Sequence, residues 1–320
     1  MDSTVKGPVI ALCGPTAAGK TGLALELSRH FEVEIVSVDS RQVYRRMDIG
    51  TAKPTLQERA QVAHHLIDVV DPDEDFTVSD FVSQARRAIA DIHRRGRLPL
   101  LVGGTGLYLR ALLSGLIDAP PADQALRAQL HQREKGEGPG TLYRELQQVD
   151  PAQAKLIHPH NLVRIVRALE VFYCGGEQLS ALQQNHRFAD QPYQVLTIGV
   201  HCDRDSLATR IAARTAAMLR TGLVAEVEGL LASGYSRQLK ALRTIGYREV
   251  IACLAGELPA TALEETISRE TRRYAKRQMT WYRREKSIIW VDSLQEFDTI
   301  LALIENYNEN TRSGYGQDTV

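Results

Sequence analysis

Cysteine is scarce in this sequence: the four copies, Cys13, Cys174, Cys202 and Cys253, form no C-x-x-C pair, and only Cys202 has a histidine, His201, beside it. That pattern argues against a disulfide framework and against a zinc site, and small, mostly buried side chains are the expectation. Long apolar runs are missing too. No stretch approaches the roughly 18–20 residues needed to cross a bilayer, and Met1 to Pro8 lacks the apolar segment and small-residue cleavage site of a secretory leader. The chain therefore reads as cytoplasmic, with no membrane partner. Net charge is absent as well, with 39 basic against 39 acidic side chains. A zero balance neither favours nor excludes nucleic acid, because phosphate contacts depend on local charge. No internal repeat is present.

What is there is an alternation of short apolar runs with helical periodicity. Val9 to Cys13, Glu34 to Val38, Leu98 to Val102, Gln194 to Val200 and Ser287 to Val291 read as strands. Lys20 to Arg29, Asp205 to Ser233 and Leu263 to Arg284 read as helices, as does the stretch in which Phe81, Ala85, Ala88, Ile89 and Ile92 share a face before Gly96. Such alternation predicts an α/β fold with a doubly wound, mostly parallel sheet and its ligand site at the carboxyl ends of the strands. Residues 120–193 break the pattern: polar and helix-prone, they predict a helical insertion into a discontinuous core of 1–119 and 194–306. Residues 307–320, rich in Asn, Gly and Thr, predict a disordered tail.

Gly14-Pro15-Thr16-Ala17-Ala18-Gly19-Lys20-Thr21 fits G-x-x-x-x-G-K-[ST] between a strand and a helix. Its glycines let successive N–H groups face a diphosphate at a helix N-terminus, Lys20 adds charge, and Thr21 can hold Mg²⁺. The loop specifies linked phosphates and leaves the chemistry open. Asp39 closes the second strand, where it could hold Mg²⁺, take a proton from a nucleophile, or merely cap a helix. Gly103-Gly104-Thr105-Gly106 closes the third and brings backbone close to a ligand at the same rim. Adjacent His64 and His65 have no third ligand nearby in sequence and predict no metal site.

In this order, G-P-T-A-x-G-K-T at 14–21, D-S-x-Q-x-Y at 39–44, G-T-A-K-P-T at 50–55, H-H-L-I-D at 64–68, G-G-T-G-L-Y at 103–108, N-L-V-R-I-V-R-A-L-E-V at 161–171, I-G-Y-R-E at 245–249 and T-R-R-Y-A-K-R-Q at 271–278 resemble the bacterial tRNA dimethylallyltransferase family over about residues 9–292. The resemblance implies that the loop grips dimethylallyl diphosphate with Mg²⁺ at Thr21, and that Asp39 is general base toward N6 of the adenine 3′ of the anticodon. Thr105 would sit by the reacting groups and Arg214 would be a second cation on the diphosphate. Asp39, Ser40, Arg41, Gln42, Thr105, Arg127 and the run Val163, Arg164, Ile165, Val166, Arg167 would meet the tRNA anticodon arm. Ala18 departs from the serine usual in this loop, and the zinc-finger extension of eukaryotic relatives is missing. A monomer is expected.

One charged region stands out: residues 269–286 carry eight Lys or Arg against Glu270 and Glu285. On a helix, Arg273, Lys276 and Arg277 would form part of a phosphate track, while Tyr274 and Trp281 would either stack on bases or pack into the core. The insertion, with eight basic and eight acidic residues, has no such electrostatic signal. The rival expectation is a small-molecule kinase with Asp39 on Mg²⁺.

Overall fold

The structure, a computed structural model, describes residues 7–186, 191–292 and 295–315. Its first part alternates: β1 (Pro8–Cys13), α1 (Lys20–Leu27), β2 (Val33–Val38), α2 (Leu56–Gln61), β3 (His64–His65), α3 (Val78–Arg94), β4 (Leu98–Gly103) and α4 (Gly106–Ser114). Helices alone follow among the described residues: α5 (Gln124–Glu137), α6 (Thr141–Val149), α7 (Pro151–Leu156), α8 (Leu162–Gly175) and α9 (Leu179–His186). The last part holds β5 (Gln194–His201), α10 (Arg204–Arg220), α11 (Leu223–Ala232), α12 (Tyr247–Leu254), α13 (Ala260–Tyr282), β6 (Ile289–Asp292) and α14 (Phe297–Tyr315).

All six strands are parallel, in the order β3-β2-β4-β1-β5-β6. Helices cover both faces of such a sheet, which is why β1 and β2 are buried almost throughout rather than alternating. On one side Ile10, Leu12, Leu100 and Val200 pack with Leu23 and Leu27 of α1 and with Ile300 and Ile304 of α14. Elsewhere Phe81 of α3 stacks on Tyr108 of α4 with ring centres 4.3 Å apart. From β1 the chain runs to β2, two places away, while β5 lies on β1's other side. The loops leaving the carboxyl ends of these strands therefore diverge around a crevice.

The chain divides into two compact units, Met1–Leu113 with Pro192–Val320, and Ser114–Gln191. The second has its own apolar centre of Leu130, Leu142, Leu146, Ile157, Ile165, Val166 and Leu169. Beside it Glu170, fully buried, accepts from Arg127 Nε at 2.8 Å, Arg167 Nη1 at 2.5 Å and the Asp123 N–H at 2.7 Å. These donors hold its carboxyl below the usual range against the opposing effect of burial.

Several expectations are corrected. The helix expected over Asp205 to Ser233 breaks at Gly222, whose φ of 107° ends α10 and starts α11. The strand expected from Ser287 begins at Ile289, and the two-residue edge strand β3 was not foreseen. Within the expected tail, residues 307–315 are helical, and 316–320 lie outside the described residues. Composition there hid a continuing stripe: Ile300, Ile304 and Thr311 are buried at helical spacing. In the same stripe the Tyr307 hydroxyl accepts from Val9 N–H at 3.0 Å and donates to the Gln194 carbonyl at 2.8 Å. Of the cysteines only Cys13 is buried, with its thiol pushed up to about 12 chiefly by burial; Cys202 and Cys253 are half-buried, and Cys174 is exposed, contrary to expectation.

Candidate active site

Gly14 leaves β1 with φ 134°, and a Cβ there would come 2.7 Å from the Val200 carbonyl oxygen of β5, so the turn requires glycine. Gly19, at φ 100°, caps α1 without a side-chain bond, which leaves the first amides of that helix for an anion. Between them Ala17 holds φ 64°, a left-handed conformation costing a non-glycine residue on the order of 1 kcal/mol. Lys20 Nζ folds back onto the Gly14 and Pro15 carbonyls at 3.0 and 2.6 Å. Ala18 is buried in the core beneath the loop, so the residue that departs from the family's serine presents no side chain to a ligand.

Two cations of α10 reach this loop: Arg214 Nη1 donates to Thr16 Oγ1 at 3.2 Å, and Arg210 Nη1 to the Ala18 carbonyl at 3.3 Å. Burial lowers Lys20 from 10.5 to about 8; Asp39's charge opposes the shift and Arg214's adds to it. Arg214 is also lowered by burial and partly restored by Asp39. Uncompensated positive charge packed this closely favours a polyanion.

Asp39 follows β2 and accepts the Arg41 N–H on Oδ1 at 2.8 Å. Turns and no helix follow it, so the capping role left open above finds no helix here. Thr105 straps the neighbouring loop to it: its N–H donates to the Val38 carbonyl at 3.2 Å and its Oγ1 accepts the Ser40 N–H at 3.1 Å. Tyr274 of α13 lies beside the same hydroxyl; burial and Asp39's charge push its phenol up to about 12.

These loops surround one cavity of about 880 Å³, lined by Lys20, Thr21, Asp39, Arg210 and Arg214 among others. Within the phosphate loop, Thr16, Ala17, Gly19, Lys20 and Thr21 line it, whereas Gly14, Pro15 and Ala18 do not. Asp39 and Gln42 line it; Ser40, Arg41 and Thr105 do not, so Thr105 stands behind the wall as a strap. Gln42 is engaged within the protein: its Oε1 accepts from Ser37 Oγ at 2.9 Å and its Nε2 donates to the Ala52 carbonyl at 3.2 Å. The 50–55 motif forms more of the wall. Glu226 of α11 accepts the N–H groups of Asp48, Ile49 and Gly50 at 3.0, 2.8 and 3.2 Å and the Tyr247 hydroxyl at 2.5 Å. Lys53 Nζ bonds the Tyr44 carbonyl at 2.8 Å, Asp48 at 2.5 Å and Asp68 at 2.6 Å.

Of the residues expected at RNA, Arg273, Lys276 and Arg277 are exposed on α13, with Arg273 paired to Glu270 at 2.6 Å and Arg277 5.7 Å over the Tyr274 ring. In the helical unit Val163 and Arg164 are exposed, while Arg127 and Arg167 grip Glu170. Ile165 and Val166 are corrected: they are 1% and 3% exposed in that unit's core and offer no side chain to RNA. Among the described residues no group of three or more His, Cys, Asp or Glu could cage a metal ion; His65 Nε2 is bonded to Glu34 at 2.7 Å, and His64 Nδ1 lies 2.8 Å from the Val62 carbonyl. Sequence reasoning missed Arg210 and Gln278. Arg210 lies one turn before Arg214, a spacing that could have found it; Gln278, an amide in a basic helix, gave no charge signal.

The family profile described as IPP transferase matches residues 42–285, and that of Isopentenyl transferase matches 7–68. The chain is 54% identical over 300 residues to tRNA dimethylallyltransferase 1 of Syntrophotalea carbinolica, covering 94% of this chain and 96% of that one. It is 50% identical over 307 residues to the tRNA dimethylallyltransferase of Geobacter metallireducens, covering 96% and 99%. The crystal structure of the tRNA isopentenylpyrophosphate transferase from Bacillus halodurans resembles it with a TM-score of 0.70 at 39% identity, over 96% of this chain and 97% of that one. A eukaryotic dimethylallyltransferase acting on tRNA gives 0.83 at 27% identity, over 95% and 80%.

Proposed function

The chain belongs to the IPP transferase family and is a tRNA-modifying prenyltransferase, and from that premise we propose how its cavity works. Dimethylallyl diphosphate lies with its phosphates on the amides of Gly19, Lys20 and Thr21 at the start of α1, against Lys20, Arg214 and Arg210. The acceptor is N6 of the adenine 3′ of the anticodon, swung out of its stack at a cost of a few kcal/mol. As the amine nitrogen bonds to C1 of the donor, the C1–O bond breaks, diphosphate leaves, and the amine proton passes to Asp39. A base at that point contributes about 10²- to 10⁴-fold, and cations around the leaving group meet its growing charge.

The observation that carries this reading is one cavity of about 880 Å³ with Lys20 and Asp39 both in its wall. Mg²⁺ belongs to the proposal with Thr21 Oγ1 as its protein ligand. A single hydroxyl without a carboxylate cage suits an ion that arrives on the diphosphate and keeps most ligands as phosphate oxygen and water; it would supply further charge neutralisation. Exposed Arg273, Lys276 and Arg277, with Val163 and Arg164 of the helical unit, would meet the anticodon arm. Ser40 and Arg41 at the cavity's edge, and Arg127 and Arg167 beside Glu170, would complete that contact. Action as a cytoplasmic monomer without zinc is part of the same reading. Kinase chemistry is not favoured, since the relatives are named for prenyl transfer to tRNA. Incubation with unmodified tRNA, Mg²⁺ and labelled dimethylallyl diphosphate should place label on one adenine, and Asp39→Ala should abolish transfer while tRNA binding persists. Label elsewhere refutes the acceptor, and an active Asp39→Ala refutes the assignment of Asp39.

A further inference from the structure

Three residues of α13, Tyr274, Gln278 and Trp281, stand four and three positions apart and so share one face of the helix. Each meets a different residue of the loop after β4. Tyr274 lies beside the Thr105 hydroxyl. Gln278 Nε2 donates to the Gly104 carbonyl at 2.8 Å. Trp281 fills the place of a side chain at Gly106, where an added Cβ would come within 2.4 Å of its ring. Gly104 and Gly106 are thus required by what α13 lays against them as well as by any ligand: a Cβ on Gly104 would come within 2.3 Å of Gln278 Nε2.

Gln278 alone reaches further. Its Oε1 accepts the Thr16 N–H of the phosphate loop at 2.8 Å, so one buried amide, 6% exposed, spans the loops that leave the adjacent strands β1 and β4. Both ends of the amide are used, acceptor toward one loop and donor toward the other, and no other neutral side chain of this length offers both. It also takes Thr16 N–H away from any phosphate.

We infer that Gln278 is a positioning residue that fixes the phosphate loop relative to the Gly104–Thr105 loop and thereby sets the approach of donor carbon to acceptor nitrogen. This rests on the prenyl-transfer reading of the cavity. In that reading the donor hangs from the first loop, while Thr105 straps Ser40 and Asp39 to the second. A displacement of about 1 Å between loops is enough to lose about 10²-fold in rate without loss of either ligand.

The test compares wild type with Gln278→Ala, Gln278→Met and Gln278→Glu, with folding followed by thermal melting and tRNA binding by gel shift. Gln278→Met keeps the buried volume should the alanine variant fail to fold. For the Ala and Met variants kcat should fall about 30- to 100-fold while KM for dimethylallyl diphosphate and for tRNA stays within about threefold. Gln278→Glu adds a readout that a packing role would not move. Ionised, it can only accept; protonated, it can accept from Thr16 and donate to Gly104, so its kcat relative to wild type should rise as pH falls from 8 to 5.5. The same ratio for Gln278→Met should stay flat. Unchanged kcat in all three variants, a KM rise that matches the whole loss, or a flat Gln278→Glu ratio each overturns the inference. Absence of transfer by wild type would instead overturn the reading beneath it.

Discussion

Raising the pH from 7 to 9 should weaken diphosphate binding about tenfold through Lys20 alone. Burial holds that ammonium at about 8 against an ordinary 10.5, so its charged fraction falls from about nine-tenths to about one-tenth across this interval. If only the charged form meets the ligand, the apparent Kd rises as the inverse of that fraction, about tenfold or 1.4 kcal/mol. The last phosphate ionisation lies near pH 6, and arginine keeps its proton throughout, so neither the ligand nor Arg214 confounds the window. The sign is fixed: a lysine lowered by burial is recharged when an anion arrives, so binding takes up a proton. Uptake should be about 0.9 proton at pH 9 and about 0.1 at pH 7. Calorimetry with an unreactive thiolo analogue of the donor, repeated in buffers of different ionisation enthalpy, measures both quantities. Lys20→Arg should bind with a flat profile. Constant affinity from pH 7 to 9 without buffer dependence, or the same slope in Lys20→Arg, refutes the reasoning.

Glu34 is held at about 2, first by its bond to Arg95 and then, against burial, by His65; its contribution is present above about pH 4.5 and fades as pH falls toward 2. Glu34→Gln should therefore melt with a shallower acid dependence over that window and be less stable at pH 7 by about 1–3 kcal/mol. Ile165→Ala should destabilise by about 2–4 kcal/mol in denaturant unfolding, whereas Arg164→Ala should leave stability within about 0.5 kcal/mol and raise KM for tRNA. Chelation of Mg²⁺ should suppress turnover, and Thr21→Ala should shift the Mg²⁺ dependence of kcat to higher concentration while circular dichroism is unchanged.

Much of this molecule was legible because its chemistry is local. An apolar run that ends in Gly14 and is followed six residues later by Lys20 can fold in few ways, and β1, β2 and β4 follow from the continuous burial that parallel strands need. Asp39 was legible as an acid at a strand end. What failed was whatever depended on distant partners. Ile165 and Val166 belong to a matching motif that, wound into α8 with its period of 3.6, turns them inward and leaves Val163 and Arg164 outward, so adjacency in sequence put buried and exposed residues on one footing. Thr105 is placed by the reacting groups through the resemblance, and the bond by which its hydroxyl holds Ser40, 65 positions away, has no signal in the sequence. Gln278 needed both Thr16 and Gly104 in view, at separations of 262 and 174 residues. Residues 307–315 were misread because composition was weighed there and the register of Ile300 and Ile304 was not carried forward.

The strand order bears on synthesis. In the finished sheet β1 sits in the interior, yet its partner β5 is made about 180 residues later, on the order of 10–40 s at usual rates of translation. Throughout that wait one flank of an apolar strand lacks its hydrogen-bonding mate, the condition that invites association between nascent chains. The helical unit, contiguous in sequence, can complete its own centre meanwhile, so chaperone dependence in this protein should concentrate on the half-built sheet.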